Sequence, residues 1–116
     1  MDYSMLILIL ASAGAFFMAF NNGANDVANA FASAVGSKAI TVKMALVLAS
    51  VVVFLGALTL GGQVAGKLID GVMNPTEFPS AAEYVTAMLC VLAASGIFIL
   101  LATLTGMPVS SSHSIV

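Results

Sequence analysis

Asn21-Asn22-Gly23-Ala24-Asn25-Asp26 decides how this chain folds. It interrupts apolar sequence that fills residues 5–20 and gives way to small, Ala-rich sequence afterwards. Three amides and a carboxylate in six positions are costly to place in lipid. A charge at the centre of a membrane helix costs about 3 kcal/mol on insertion scales. The six residues must therefore face protein, water or a bound ion, and Asp26 is the first candidate for a functional group. Asn22-Gly23 tolerates positive φ and suits a helix stop. Asn25 or Asp26 can then cap a new helix over 27–35.

Working outward, the rest of the chain reads as an all-α integral membrane protein. Hydrophobic residues are 61% and charged residues 7% of the 116, against about 25% charged in a soluble domain. Three apolar segments stand out, at about 3–35, 42–65 and 84–104. A span needs about 20 residues. The second and third segments fit. The first is too long for one straight crossing, so it is expected to be broken or re-entrant at 21–26. Small residues recur every fourth position, as in Ala11, Ala15, Ala19 and Gly23, in Ala24, Ala28, Ala32 and Gly36, and in Ala57, Gly61 and Ala65. Such faces let helices approach closely in a bilayer.

Lys38 and Lys43 lie in the first connection and Lys67 alone in the second, with no Lys or Arg ahead of the first segment. The positive-inside rule then puts the N-terminus outside, 38–43 inside and 70–83 outside. The net charge of −2 and the lack of a basic stripe speak against nucleic-acid binding. Cys90 is the only cysteine, which excludes an internal disulfide, and its apolar neighbours predict a packing role. The N-terminus has neither the basic start nor the cleavage site of a signal peptide.

A second polar cluster follows the third segment. After Leu104 the chain reads Thr105-Gly106-Met107-Pro108-Val109-Ser110-Ser111-Ser112-His113-Ser114-Ile115-Val116. Gly106 and Pro108 should stop the third helix, and Pro108 suits the first turn of a new, re-entrant one over 106–116. Ser110, Ser111 and Ser112 supply hydroxyls beside free backbone N–H groups, a donor nest suited to a tetrahedral oxyanion. His113 adds a donor or a titrating group. The first cluster supplies amide and carboxylate oxygens, including Asn22 and Asp26, which suit a hard cation such as sodium. Broken helices holding an anion and a cation are the pattern of secondary transporters. The chain has no Arg. An anion beside Asp26 therefore needs a cation with it, which points to cation-coupled anion transport.

These residues resemble the inorganic phosphate transporter (PiT) family. The resemblance rests on Gly23-Ala24-Asn25-Asp26-Val27-Ala28-Asn29-Ala30-Phe31 with Ser33-x-Val35-Gly36-Ser37, and on Pro108-Val109-Ser110-Ser111-Ser112-His113. It covers the chain in order and spacing. It implies a sodium- or proton-coupled phosphate symporter built from two inverted repeats, in the plasma or inner membrane, with no cofactor beyond the coupling ion. It assigns Asn25, Asp26 and Asn29 to the ion and substrate site, and Ser110, Ser111, Ser112 and His113 to phosphate. One copy of each motif is present, as expected of the first repeat of a longer protein. The implied partners are phosphate, the coupling cation, lipid and a second repeat, with a homo-oligomer left open.

Four other readings compete. A purely structural membrane subunit would not explain two polar clusters at membrane depth. Sulfate or another oxyanion would use the same donors. A passive anion channel would share the site but show no cation coupling. A membrane hydrolase would need Ser112, His113 and Asp26 as a triad. Adjacent Ser and His rarely reach one another, and no nucleophile elbow is visible.

Overall fold

The computed structural model describes residues 2–115, apart from the side chains of Ser111 and Ser112. In order the elements are α1 (Tyr3–Gly36), α2 (Val42–Val72), a 3-10 turn (Pro75–Glu77), α3 (Ala81–Leu104) and α4 (Ser111–Ile115). There is no strand among the described residues. Three of the helices are long and apolar enough to cross a membrane, so the fold is that of an all-α membrane protein. Contacts divide the chain into two compact units, Met1–Asp26 with Ser80–Val116, and Val27–Pro79.

In the first unit, α1 and α3 share a seam. Gly14 lies against Leu92, Phe17 and Met18 against Gly96, and Asn25 against Thr103. Positions 14 and 92, 18 and 96, and 25 and 103 keep one offset of 78 residues. The helices therefore run parallel and in register, as a first and a third crossing must. Contacts at spacings of four and seven follow the helical repeat, which returns a residue to the same face after one or two turns. Gly96 lets the backbones close, since a Cβ there would sit 2.6 Å from the Phe17 ring. Ile99 and Ala102 complete the buried side of α3.

The break expected at 21–26 is absent, because α1 is continuous from Tyr3 to Gly36. Neither Asn22 nor Gly23 has positive φ. The Asn21 amide donates to Phe17 O, four residues back, at 2.9 Å. Asn25 finds its partners outside the helix. With these amides satisfied, nothing obliges the backbone to unwind, and a glycine inside a helix costs only about 1 kcal/mol relative to Ala. Of the small residues counted in α1, Ala15, Ala19 and Gly23 are exposed; the seam runs instead through Gly14, Met18, Asn21 and Asn25.

Both α1 and α3 end in the same cap. At the end of α1, Ala39 N–H donates to Ala34 O and Lys38 N–H to Val35 O, with Lys38 at φ 60°. At the end of α3, Met107 N–H donates to Ala102 O and Gly106 N–H to Thr103 O, with Gly106 at φ 73°. These are paired Schellman bonds, which satisfy the last carbonyls of a helix. Gly106 adopts the left-handed conformation freely; Lys38 does so against its Cβ.

In the second unit, α2 runs seven residues past the expected end at 65. Gly66, Lys67 and Asp70 are all compatible with a helix, and Pro75 supplies the stop, because the residue before proline disfavours helical backbone. Thr41 caps its start by accepting from Met44 N–H. Val27, Ala28, Phe31, Ala32 and Val35 line an apolar cavity of about 180 Å³ with Val42, Ala45 and Leu46. Among the described residues, a Cβ at Gly61, Gly62 or Gly66 would meet no other element within 4 Å. α3 starts earlier than the expected 84, since Ser80 accepts from Glu83 N–H in half of a capping box. Cys90, expected to pack, is exposed.

Candidate functional site

The parallel seam delivers the first polar cluster to the second. Asn21 and Asn25 are one turn apart on the buried side of α1, 3% and 6% exposed. Asn25 Nδ2 donates to Thr103 Oγ1 and to Met107 O, each at 3.2 Å. Its Oδ1 accepts from Val109 N–H at 3.4 Å. Thr103 Oγ1 in turn donates to Ile99 O at 2.8 Å. One amide thus joins α1, the end of α3 and the non-helical stretch 107–110. Among the described residues no buried side-chain nitrogen or oxygen lacks a partner.

Past Gly106 the chain reverses and α4 packs on α3. Pro108 does not open that helix, which starts at Ser111. Asn25 holds the Met107 carbonyl and the Val109 N–H, so the approach to α4 is fixed by a side chain rather than by helical bonds. The first backbone bond of α4 runs from Ser114 N–H to Ser110 O. At its far end, Ser95 Oγ on α3 donates to Ser114 O at 2.8 Å. Ser110 and His113 are exposed. With Phe98, Val109 and Ser114 they line an open cavity of about 420 Å³. The side chains of Ser111 and Ser112 lie outside the described residues.

The remaining sequence-nominated residues lie elsewhere on α1. Asp26 and Asn29 are exposed and Asn22 is half-buried. Asn22 and Asp26 are one turn apart, on the stripe next to the buried pair Asn21 and Asn25. Asp26 is in mid-helix and caps nothing. No group of three His, Cys, Asp or Glu gathers around it among the described residues. A cation at Asp26 would need amide or carbonyl oxygens to complete its shell. Asn29 is a turn further on, in the second unit.

Two residues that hold the segment were not legible in the sequence. Ser95 and Thr103 are hydroxyls in the apolar C-terminal part of α3, eight residues apart on the face that carries the buried Ile99. That spacing was the available signal. It was masked because Ser and Thr commonly bond to their own helix.

Comparison with known proteins identifies the family. The phosphate transporter family profile matches residues 22–116. The chain is 42% identical over 112 residues to a Chlamydia trachomatis protein named as a phosphate permease, covering 96% of this chain and 26% of that protein. It is 42% identical over 114 residues to a Plasmodium falciparum protein named as a sodium-dependent phosphate transporter, covering 97% of this chain and 17% of that protein. A Haemophilus influenzae protein, also named as a phosphate permease, is 41% identical over 97% of this chain and 27% of its own length. The chain spans about a quarter of the length of such permeases. No solved structure matches it. With the profile covering the second polar cluster, all of the first but Asn21, and the helices between them, the chain belongs to the phosphate transporter family.

Proposed function

We propose that these 116 residues form the first repeat of a cation-coupled symporter of inorganic phosphate. The observation that carries the reading is the Asn25 junction. Asp26 follows Asn25 in the chain, and Ser110 follows Val109, which Asn25 holds. The carboxylate and the donor-rich segment therefore flank one buried knot. Phosphate takes the hydroxyls and N–H groups of Ser110, Ser111 and Ser112, with His113 as a further donor. The Asn25 amide is already engaged with Thr103, Met107 and Val109, so it serves phosphate by fixing that segment.

Asp26 holds the coupling cation with Asn22, one turn before it on the same helix. The name of the Plasmodium relative favours sodium over protons. The electrostatic argument is independent of that name. Two unit charges 4 Å apart interact by about 4 kcal/mol at an effective dielectric of 20. A phosphate anion near Asp26 is repelled on that scale unless a cation lies between them. A second repeat completes the site. The lysine count sets the N-terminus outside and 38–43 inside.

The test is sodium-driven phosphate uptake by the full-length transporter in cells. Ser110→Ala and His113→Ala should each raise the apparent KM for phosphate, since losing a hydrogen bond to a charged group costs about 1.5–3 kcal/mol. Asp26→Asn keeps the shape and removes the charge, and should abolish gradient-driven uptake with expression retained. Near-normal uptake by Asp26→Asn would refute the cation role. Unchanged KM in both other variants would refute the phosphate assignment, and preferential uptake of sulfate would change the substrate. A cysteine at Glu77 in a cysteine-free full-length background should react with an impermeant maleimide; protection of that cysteine would invert the topology.

A further inference from the structure

Several hydroxyls of this chain bond at home. Ser50, Thr59, Thr86 and Thr103 each donate to a carbonyl four residues back in their own helix, and Thr105, at the cap of α3, donates likewise to Leu101 O. Ser95 does not. It is 2% exposed, and its Oγ donates to Ser114 O at 2.8 Å, nineteen residues away. α4 has five residues. Isolated helices shorter than about 12 residues are marginal in water, so the placement of α4 depends on what ties it down. The described side-chain ties stand at its two ends: Asn25 holds the approach at Met107 and Val109, and Ser95 holds Ser114. Ser110 and His113 lie between those anchors and face the cavity.

We propose that Ser95 is a positioning residue for phosphate, holding α4 on α3 so that Ser110 and His113 present their donors together. The proposal rests on the reading of this segment as the phosphate contact. It goes beyond it by giving a residue of the third helix a part in substrate affinity. Ser95 touches no substrate. Without its bond, α4 keeps its sequence and loses its fixed height against α3, so phosphate meets donors that are no longer set for it. The cost should appear in apparent affinity rather than in turnover.

The experiment measures phosphate uptake against concentration for the full-length transporter carrying Ser95→Ala and Ser95→Thr, with membrane expression quantified. Ser95→Ala should raise apparent KM about tenfold with the maximal rate within about twofold, and Ser95→Thr, which keeps the hydroxyl, should restore most of the affinity. Unchanged KM in Ser95→Ala would overturn the proposal. So would a fall in maximal rate alone, a Ser95→Thr no better than Ser95→Ala, or loss of both variants from the membrane, which would make Ser95 a folding residue. Ser110→Ala and His113→Ala, run alongside, separate the two ideas. If they raise KM and Ser95→Ala does not, only the positioning role fails. If they leave KM unchanged, the phosphate reading itself fails.

Discussion

The two units differ in how far their polar side chains reach, although Asn21, Thr86 and Thr105 of the first also bond locally. In the first, Asn25 and Ser95 reach between elements, to Met107, Val109 and Ser114. In the second, Ser37, Ser50, Thr59 and Thr76 bond within four residues of themselves. A local bond satisfies a hydroxyl and specifies nothing about tertiary arrangement. A bond between elements does both, because it forms at one relative position only. The unit whose polar groups cross between elements is also the one that carries the exposed Ser110, His113 and Asp26. The difference separates a unit built to hold groups in place from one built to fill a bilayer.

Asn25→Leu should break this contrast most severely. Bonds between membrane helices average about 0.6 kcal/mol each, and leaving the Met107 carbonyl unpaired adds about 1–3 kcal/mol. A destabilisation of about 2–3 kcal/mol, with uptake lost, is expected in thermal unfolding of the detergent-solubilised transporter. An unchanged melting midpoint would show that the junction is not what fixes the first unit.

Gly96→Leu should come next, at about 1–3 kcal/mol for overpacking. It drives a side chain into the Phe17 ring. Adding Phe17→Ala should return part of the loss, since the two changes exchange volume across one contact. If the double variant is no more stable than Gly96→Leu, the seam is not closed at that point.

Thr59→Ala should have the smallest effect. Its hydroxyl bonds to Leu55 O of its own helix and the residue is exposed. A change within about 0.5 kcal/mol is expected in the same measurement. A loss comparable to that of Asn25→Leu would erase the distinction between the units.

How much of this the sequence carried follows the same line. The membrane class and the three long helices were legible, because hydropathy and length act locally. Both polar clusters were legible too, since four polar side chains in six positions, or a run of serines with a histidine, have few explanations in apolar sequence. The break in α1 was expected and is not there. Its prediction rested on a first segment too long for one straight crossing and on Asn22-Gly23 as a helix stop, whereas Asn21 is satisfied within the helix by Phe17 O and Asn25 by Thr103 and the chain beyond it. Those partners are 78 and 82 residues away, and no window of sequence contains both sides. The helix start at Ser80 was available in Ser80-Ala81-Ala82-Glu83 and was outweighed by hydropathy. The left-handed backbone at Lys38 had no signal, because glycine or asparagine is the usual residue there.

The constant offset between α1 and α3 makes the pair a vernier. An extra residue in α1 between Gly14 and Asn25 would turn everything beyond it by about 100° and advance it by about 1.5 Å. Asn25 would leave Thr103, and the residue rotated into its place would be Ala24. An extra residue in either connecting loop would leave that gauge untouched. Length variation in this part of the molecule should thus be tolerated at 37–41 and 73–79 and be forbidden within the ruled stretch. A phasing scan by single-residue insertion would read those graduations directly.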